Sequence, residues 1–372
     1  MIKIALSKPH FNDFKDDLNK CQISVYGNNL VLFENKLEFY LKSNAKVACL
    51  NSGTSAIHLA LILTGVTKGD EVLCQSFTFS ASANPIVYQG AKPIFIDSEL
   101  ETWNMCPVAL EEAIKDRIAK NKKPKAIILV HLYGMPARIE QIVAIANTYE
   151  IALIEDAAEA LGSTYKGQKC GTFGDFGILS FNANKIITTY GGGALVCKSE
   201  EVKQKTIFLS TQARDDAQHY QHSEIGYNYR MSGVLAGIGR GQMEVVDTHV
   251  SLRRANNSFY QELFKGVKGV TVYKEPSQDY FSNHWLSCIL IEERNAGISR
   301  ESLRLQLLED NIESRPLWKP MHLQPVFQGC AYYGGTVAED LFEKGLCLPS
   351  GSNLTDTDRE RIAASIQKVL KK

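Results

Sequence analysis

Residues 125–162 read KAIILVHLYGMPARIEQIVAIANTYEIALIEDAAEALG, and this stretch decides the fold. Two apolar runs, Lys125–Val130 and Ile151–Glu155, flank Ile139–Tyr149, in which apolar residues recur at helical spacing. Because neither run alternates apolar with polar residues, both predict strands that are covered on two faces. The stretch therefore predicts a strand–helix–strand unit in which the two strands are parallel.

The alternation of strands and helices extends towards the N-terminus. The pattern there predicts three strands, at Lys46–Leu50, Glu71–Cys74 and Pro93–Ile96. It also predicts three helices, at 52–65, Thr78–Gln89 and Val108–Ile118. We therefore expect an α/β fold whose central sheet is mainly parallel and carries helices on both faces. In such sheets ligands bind beyond the carboxyl ends of the strands, and three polar segments lie at such ends: Ser52–Thr54, His131–Tyr133 and Asp156.

The pattern changes beyond residue 246. The elements predicted there are a polar helix, two strands and two more helices, at Thr248–Phe264, Val270–Tyr273, His284–Ile291, Arg300–Asp310 and Asp356–Leu370. We therefore expect a large domain at 1–246 and a small C-terminal α+β domain at 247–372. Within the latter, ESRPLWKPMHLQPVF (313–327) contains Trp318 and His322, which fit a cleft wall and a domain seam equally well.

Composition argues against several classes of protein. The 372 residues include 41 lysines and arginines and 41 aspartates and glutamates, so no net charge favours a nucleic-acid or membrane-surface partner. The first residues lack the apolar run of a signal peptide, and no apolar run is long enough to cross a bilayer. Nine cysteines without a CxxC pair fit reduced thiols, so we expect a cytoplasmic protein.

Two motifs lack the context that would give them a function. His219 and His222 form an HxxH pattern, but no HExxH motif or cysteine cluster accompanies it, so no metal site is predicted. GIGRG at Gly237–Gly241 lies in a predicted helix and not after a strand, which argues against a nicotinamide-dependent enzyme.

Two of the strand ends suit a phosphorylated ring cofactor. At Ser52–Thr54 a strand meets a helix, and the free N–H groups and the positive end of a helix dipole suit a phosphate. An ordinary Ser/Thr N-cap explains the same residues. Asp156 could hold the protonated ring nitrogen of a pyridoxal cofactor, which needs that partner to remain an electron sink. A helix N-cap aspartate is the alternative.

The segment Gly171–Gly193, GTFGDFGILSFNANKIITTYGGG, holds a single lysine. Lys185 follows the apolar run Phe176–Phe181 and precedes three glycines. Burial disfavours an ammonium group and frees the amine as a nucleophile, and such amines form Schiff bases with carbonyl substrates and with pyridoxal phosphate. A surface lysine on a glycine-rich hairpin explains the segment equally well on its own.

The order of these segments resembles one family. The chain resembles the DegT/DnrJ/EryC1/StrS family of pyridoxal-phosphate sugar aminotransferases. It carries, in the order found in that family, the phrases SGT, EDAAEALG, SFNANK, YGGG and GYNYRMS. The resemblance covers nearly the whole chain. It is closest to the enzymes that aminate UDP-4-keto-6-deoxy-N-acetylglucosamine in bacillosamine and legionaminic acid synthesis. The phrases that carry this closer match are ALGSTYKGQKCGTFGDFG, LSTQAR, GYNYRMS, NHWLS, ESRPLWKPMHLQPVF and GLCLPSG.

The resemblance implies the aspartate aminotransferase fold (fold type I), a homodimer with shared active sites, and pyridoxal 5'-phosphate as cofactor. It implies that Lys185 forms the Schiff base, that Asp156 holds the pyridinium nitrogen and that Glu159 lies near the ring hydroxyl. The remaining cofactor residues would be Phe79 stacked on the ring, Asn228 of the second subunit, and the phosphate ligands Gly53, Thr54 and Ser180. The residues implied at the sugar nucleotide are Tyr26, Gly27, Asn28, Asn29, Arg230, Arg315, Trp318 and His322.

The chain departs from close relatives at two positions, Ala183 and Gly233. Ala183 and Asn184 precede the lysine where Gly-Asn is common, and Gly233 follows RMS where relatives usually carry Asn. Relatives that dehydrate sugars replace the lysine by histidine, so Lys185 favours amino transfer.

The expected reaction moves an amino group from L-glutamate to the C4 ketone of a UDP-linked 4-keto-6-deoxy-N-acetylhexosamine, for surface glycan synthesis. One alternative is a related aminotransferase that acts on a dTDP- or GDP-linked sugar or on another keto carbon. A more distant alternative is a pyridoxal-binding regulatory protein without turnover. The intact pair Lys185 and Asp156 argues against the regulator.

Overall fold

The structure is a computed structural model that describes residues 2–8, 10 and 28–370. Its helices are α1–α12, in chain order: Asn29–Leu41, Gly53–Leu63, Ser80–Tyr88, Pro107–Ala119, Ile139–Thr148, Glu200–Ser210, Gly233–Gln242, Val246–Leu263, Glu293–Ala296, Arg300–Glu309, Val337–Lys344 and Asp356–Leu370. The first nine strands, β1–β9, are Lys46–Leu50, Glu71–Gln75, Lys92–Ile96, Ala126–Val130, Ala152–Asp156, Thr164–Tyr165, Gln168–Lys169, Phe176–Ser180 and Gly193–Cys197. The last six, β10–β15, are Val270–Val272, Tyr280–Phe281, Ser287–Ile291, Arg315–Pro316, Tyr332–Tyr333 and Gly345–Leu348.

The central sheet has eight strands in the order β1-β9-β8-β5-β4-β2-β3-β14. The pairs from β8 to β14 are parallel, whereas β9 is antiparallel to both of its neighbours. The prediction of an α/β fold with a mainly parallel sheet is therefore confirmed. Every residue of β2, β4 and β9 is buried, as expected for strands covered by helices on both faces.

The register of the sheet collects the predicted strand ends at one edge. Val130 is paired with Asp156 and Asp156 with Ile178, so the carboxyl ends of three central strands lie side by side. At the β9 side, Gly193 is paired with both Ser180 and Leu50. The ends of β1, β8, β5 and β4 therefore face the same space.

A second sheet of four antiparallel strands, β10-β12-β15-β13, is built from residues after 246. Helices α8, α10 and α12 cover it, and their apolar side chains form a separate core with Ile289, Leu346 and Leu348. Because this sheet has a core of its own, we propose that the boundary between the large and the small domain lies between residues 246 and 247, as the sequence predicted. Two strands of the C-terminal part nevertheless pair with strands of the large part, because β14 pairs with β3 and β11 pairs with β6.

Candidate active site

A cavity of about 590 Å³ opens at the edge where the strand ends meet. Nine residues of the predicted site line it: Gly53, Thr54, Phe79, Asp156, Glu159, Ser180, Lys185, Arg315 and Trp318. These residues come from five stretches of the chain, 53–54, 79, 156–159, 180–185 and 315–318, and the C-terminal part contributes the last of them. The fold therefore brings most of the predicted cofactor residues into one space.

Lys185 and Glu159 form a buried pair in this cavity. Lys185 Nζ lies 3.2 Å from Glu159 Oε1, and the two side chains are 14% and 5% exposed. The second carboxylate oxygen, Oε2, accepts the backbone N–H of Tyr133 at 2.8 Å. Burial raises the pKa of Glu159 to about 7, although the nearby Lys185 ammonium and the Tyr133 N–H both act to lower it. Glu159 can therefore take up and release a proton near neutral pH.

Asp156 lies at the end of β5, and each of its two carboxylate oxygens accepts a hydrogen bond from a neighbouring residue. Its Oδ2 accepts the Ser82 hydroxyl at 2.6 Å, and its Oδ1 accepts the Ala158 N–H at 3.2 Å. Ser82 is itself 2.8 Å from the Thr78 hydroxyl. The alternative interpretation of Asp156 as a helix N-cap is wrong, because a turn and not a helix follows β5. The carboxylate is thus oriented by neighbours while it lines the cavity.

The N-terminus of α2 faces the cavity beside the end of β8. Ser52 caps this helix, since its hydroxyl accepts the Ser55 N–H at 3.0 Å, and Gly53 and Thr54 line the cavity. A Cβ atom added to Gly53 would lie 3.3 Å from Ser180 Cβ, so these two residues are direct neighbours. The interpretations of this junction as a phosphate site and as an ordinary N-cap are therefore compatible, because Ser52 caps the helix end and that end also faces the cavity.

The three glycines of YGGG have different surroundings. A Cβ on Gly193 would lie 2.4 Å from the backbone nitrogen of Gly53, so this glycine allows β9 to pass directly beneath the helix end. Gly192 has φ +141° and packs against Met231. Only the position of Gly191 is open, with no atom within 4 Å of an added Cβ. Gly193 and Gly192 therefore allow neighbouring protein atoms to approach closely, whereas Gly191 faces the cavity.

Aromatic side chains form one wall of the cavity. Phe79 precedes α3 and is 56% exposed, with its ring centre 5.4 Å from that of Trp318. Trp318 also packs against Tyr133 at 5.1 Å and donates its backbone N–H to the Tyr133 hydroxyl at 3.0 Å. An exposed phenylalanine face on a cavity wall is suited to stacking on a planar ring.

Several predicted substrate residues do not line the cavity. Arg230 donates to Glu34 at 2.6 Å and to the Cys49 carbonyl, between α1 and β1. His322 lies 2.6 Å from the Ser76 hydroxyl and stacks on Tyr332, so it joins the segment 321–323 to the large sheet.

Of the predicted loop residues, Asn29 is buried, where its side chain accepts a hydrogen bond from Arg240. Asn28 is exposed just before α1. Asn228 is also exposed, and its carbonyl accepts from Asn51, which does line the cavity. Tyr26 and Gly27 lie outside the described residues. Helix α7, which begins at Gly233, has an N-cap although relatives usually carry Asn at this position. The Ser232 hydroxyl accepts the Leu235 N–H at 3.4 Å.

Behind the cavity lies a buried group of polar residues around Glu155. Of these residues, the sequence analysis singled out only His131. His131 Nε2 is 2.9 Å from Glu155 Oε2, and Nδ1 accepts the Ala137 N–H at 3.1 Å. Because Nδ1 is an acceptor, Nε2 carries the proton and donates to the carboxylate. Glu155 also accepts the N–H groups of Gly171 and Phe173. The carboxylate therefore fixes the start of the segment that leads to β8 and Lys185.

The HxxH pattern lies on an exposed loop. His222 is 2.8 Å from the Gln212 carbonyl, and His219 is 3.2 Å from Gln221. Across residues 2–8, 10 and 28–370, no group of three His, Cys, Asp or Glu side chains is arranged to hold a metal ion. Over the same ranges, none of the helices has the length and apolar character needed to cross a membrane.

Comparison with known proteins agrees with this geometry. The model of the DegT/DnrJ/EryC1/StrS aminotransferase family matches residues 6–367. The chain belongs to this family. EpsN of Bacillus subtilis, named as a pyridoxal phosphate-dependent aminotransferase, is 47% identical over 97% of this chain and 94% of its own. The GDP-perosamine synthase of Escherichia coli O157:H7 is 39% identical over 95% and 94%.

A solved structure extends the comparison. Spr1654 of Streptococcus pneumoniae, named as a sugar aminotransferase and solved in its PLP form, superposes with a TM-score of 0.89 at 26% identity, over 100% of this chain and 99% of that one. The chain is thus a sugar aminotransferase that depends on pyridoxal 5'-phosphate. The cavity fits that group, because it offers a helix N-terminus, a carboxylate, a lysine amine and an exposed aromatic face.

Proposed function

We propose that this aminotransferase moves an amino group from L-glutamate to the C4 ketone of a UDP-linked 4-keto-6-deoxy-N-acetylhexosamine. The product would be the UDP-4-amino-4,6-dideoxy-N-acetylhexosamine, a precursor for surface glycans. The observation that carries the proposal is the Lys185–Glu159 pair, whose amine and carboxylate lie 3.2 Å apart in the cavity that Asp156 also lines. A lysine amine in such a place can both bind a carbonyl carbon and carry a proton.

The cofactor, when bound, supplies an aldehyde that takes an amine covalently and a ring that accepts electrons when a proton leaves the donor's α-carbon. In our proposal Lys185 Nζ is the atom that holds the cofactor at rest and that carries the proton during turnover. Positioned proton transfer of this kind typically accelerates a step by ~10²–10⁴-fold. Glu159 Oε1 is placed to take a proton from the same nitrogen, since it is already in hydrogen-bonding contact with it.

The remaining cofactor roles follow from the lining of the cavity. The open end of α2 at Gly53 and Thr54, with Ser180 beside it, is the site for the phosphate. Asp156, which Ser82 and Ala158 orient, is the partner for a protonated ring nitrogen. Phe79 supplies the stacking face. Each role is assigned to a side chain or backbone group that lines the cavity.

The substrate assignment is supported by the segments that carry the closer resemblance. NHWLS and ESRPLWKPMHLQPVF contribute Trp285, Arg315 and Trp318 to the cavity lining. The Arg315 side chain is 68% exposed at the cavity and donates to Glu313 from Nε and Nη2, so an anionic nucleotide that binds it would compete with this carboxylate. Exposed guanidinium groups of this kind bind diphosphates through paired hydrogen bonds.

A GDP-linked keto-sugar is the second candidate. It is favoured by the similarity to the GDP-perosamine synthase, which is 39% identical over almost the full length of both chains. Tyr26 and Gly27 of the predicted substrate loop lie outside the described residues. The two candidates are therefore separated by assay.

The decisive experiment offers the purified protein L-glutamate and a panel of keto-sugars linked to UDP, GDP or dTDP, with the ketone at C4 or C3. We expect fastest turnover of the UDP-linked 4-keto-6-deoxy-N-acetyl sugar. Faster turnover of a GDP- or dTDP-linked sugar, or of a C3 ketone, would replace the substrate assignment. A protein that binds pyridoxal phosphate but aminates none of them would support the regulatory alternative.

We also propose a homodimer whose active sites are shared. Asn228 is exposed and does not line the cavity of its own chain, although its carbonyl is bonded to Asn51 at the cavity's rim. Large apolar side chains are also exposed, among them Phe79, which lines the cavity, and Val87, Tyr88 and Tyr190. A second copy that covers these residues would bring its own Asn228 towards the cofactor site.

A further inference from the structure

The segment Ser282–Leu286, SNHWL, contacts both members of the Lys185–Glu159 pair. It connects β11 to β12 and comes from the C-terminal part of the chain. All five residues are buried, and Trp285 and Leu286 line the cavity. The resemblance to the family includes the phrase NHWLS (283–287) but implies no role for any of its residues.

Asn283 is attached to the backbone of Glu159. Its Nδ2 donates to the carbonyls of Glu159 at 2.8 Å and Leu161 at 2.9 Å, and its own N–H donates to the Ser163 hydroxyl at 2.9 Å. The side chain occupies the space that Gly134 leaves by lacking a Cβ, since a Cβ there would lie 1.9 Å from Asn283 Oδ1. Asn283 therefore sets the position of the segment relative to Glu159.

Trp285 is attached to the backbone that carries Lys185. Its indole Nε1 donates to the Asn184 carbonyl at 2.7 Å, and Lys185 Nζ lies 4.2 Å from the centre of the indole ring. The Asn184 carbonyl accepts a second bond, from the Ser7 hydroxyl at 3.0 Å. One side chain thus supports the turn before the lysine and also faces its amine.

The position of Trp285 is itself fixed on several sides. Its backbone N–H donates to Asn283 Oδ1 at 2.8 Å, and its carbonyl accepts from the guanidinium of Arg253, which is 1% exposed. His284 between them has φ +45°, a left-handed conformation that a histidine adopts only when its surroundings impose it. The indole therefore forms a rigid surface, as a group that positions another must.

We propose that Trp285 is a positioning residue for the amine of Lys185. Its N–H holds the lysine turn, and its ring face, together with Glu159, receives the ammonium form whenever the amine is not joined to the cofactor. A ring face attracts an ammonium group electrostatically, most strongly for tryptophan and where water is excluded. The inference rests on the proposed role of Lys185 as the attachment residue.

Three variants separate the two contacts of Trp285. Trp285→Phe keeps a ring face and removes the N–H, whereas Trp285→Leu removes both. Trp103→Phe is the matched control, because Trp103 is equally buried and stacks on Tyr273 at 3.7 Å but does not line the cavity. Thermal unfolding of all three shows which variants are folded before any cofactor measurement.

The test uses protein freed of its cofactor. The rate at which pyridoxal phosphate attaches is followed by absorbance, and the modified residue is identified by borohydride reduction and peptide mass. Calorimetry measures the affinity for pyridoxamine phosphate, which needs the phosphate and ring contacts but no bond to the lysine. Misplacing a reacting group by an ångström can reduce the reaction rate ~10²-fold. We therefore expect the attachment rate to fall about tenfold in Trp285→Leu and about threefold in Trp285→Phe. The pyridoxamine phosphate affinity should change by less than about twofold, since a lost hydrogen bond away from the ligand is a small effect there.

Each outcome decides the proposal. Unchanged attachment in folded Trp285→Leu overturns it, and so does a parallel loss of pyridoxamine phosphate affinity, which indicates general damage to the site. If Trp285→Leu does not fold, Trp285→Phe decides by the same comparison, with Trp103→Phe expected to match the wild type. Modification of a residue other than Lys185 in the wild type would instead refute the proposed function.

Discussion

The Ser82 hydroxyl donates a hydrogen bond to Asp156 Oδ2 over 2.6 Å, and the two residues are 74 positions apart. Asp156 is only 6% exposed, so its carboxylate needs partners to remain charged at the cavity. Ser82 supplies one, the Ala158 N–H supplies a second, and each carboxylate oxygen keeps a lone pair for a ligand. The strength of cofactor binding should therefore depend on this hydroxyl.

The first prediction concerns Ser82→Ala. Loss of a hydrogen bond to a charged group costs about 1.5–3 kcal/mol, and water can replace part of it, so we expect the pyridoxal phosphate affinity to fall about tenfold. Equilibrium dialysis measures this directly. Ser98→Ala is the control, because the buried Ser98 hydroxyl has no hydrogen-bond partner in the described part of the chain. Equal affinities of the Ser82 variant and the wild type would show that Asp156 is oriented by the backbone alone.

The second prediction concerns Lys185→Ala. Without the amine, the protein should form no covalent bond to pyridoxal phosphate and should lose amino transfer by at least ~10²-fold, because proton transfer at Nζ is lost as well. Absorbance and borohydride reduction measure the bond, and a coupled assay measures transfer. A surface lysine such as Lys265, 73% exposed, provides the control substitution. A Lys185 variant that still takes up the cofactor covalently would assign the attachment to another residue.

The third prediction follows from the raised pKa of Glu159. A carboxyl whose pKa is about 7 in the folded protein and near 4.5 when unfolded binds its proton more tightly in the folded state. Its contribution to stability is therefore present below pH 4.5 and is lost as the pH rises towards 7, by at most on the order of 1 kcal/mol per pH unit. Glu159→Gln removes this titration.

Urea unfolding of the cofactor-free protein at pH 5 and pH 7.5 checks the sign. The free energy of unfolding of Glu159→Gln, relative to the wild type, should increase between these two values. A difference that stays constant or decreases with pH would mean that Lys185 keeps the carboxylate ionised in the folded state, and the pair would then be a fixed ion pair.

The fourth prediction compares two glycines of YGGG. Gly193→Ala should reduce the free energy of unfolding by about 1–3 kcal/mol, because the new Cβ would lie 2.4 Å from backbone atoms of Ser52 and Gly53. It should also weaken phosphate binding, since the end of α2 must move. Gly191→Ala should unfold like the wild type, because its Cβ would meet no protein atom. Chemical denaturation and calorimetry with inorganic phosphate distinguish the two variants.

The sequence predicted the fold well because strand and helix periods are local properties. The bounds of β1, β4 and α12 fall within one residue of the prediction, and Lys185 and Asp156 were placed at the correct strand ends. Strand β9 was not among the predicted strands, and only the glycine-rich hairpin interpretation of Lys185 indicated an antiparallel return, because the link at residues 181–192 carries no signal for its direction.

The supporting contacts could not be predicted in the same way. Ser82 and Trp285 reach their partners across 74 and 101 positions, and sheet register and the docking of the C-terminal part decide such contacts. A phrase such as NHWLS shows that a segment is distinctive but not what it touches. The same limit applies to Arg230 and His322, whose contacts with Glu34 and Ser76 the sequence did not indicate and whose role at the substrate stays a prediction.

The last prediction tests whether one active site draws on two chains. Lys185→Ala and Asn228→Ala would each inactivate or weaken a homodimer, but in a mixed dimer one site would combine an intact Lys185 with the intact Asn228 of the other chain. Random mixing makes half of the dimers mixed, each with one good site of two, so about a quarter of wild-type activity should return. Complete pairing of unlike chains would raise this to about a half. Differently tagged chains, purified over both tags, show that mixing occurred, and mixed dimers with no regained activity would restrict each site to a single chain.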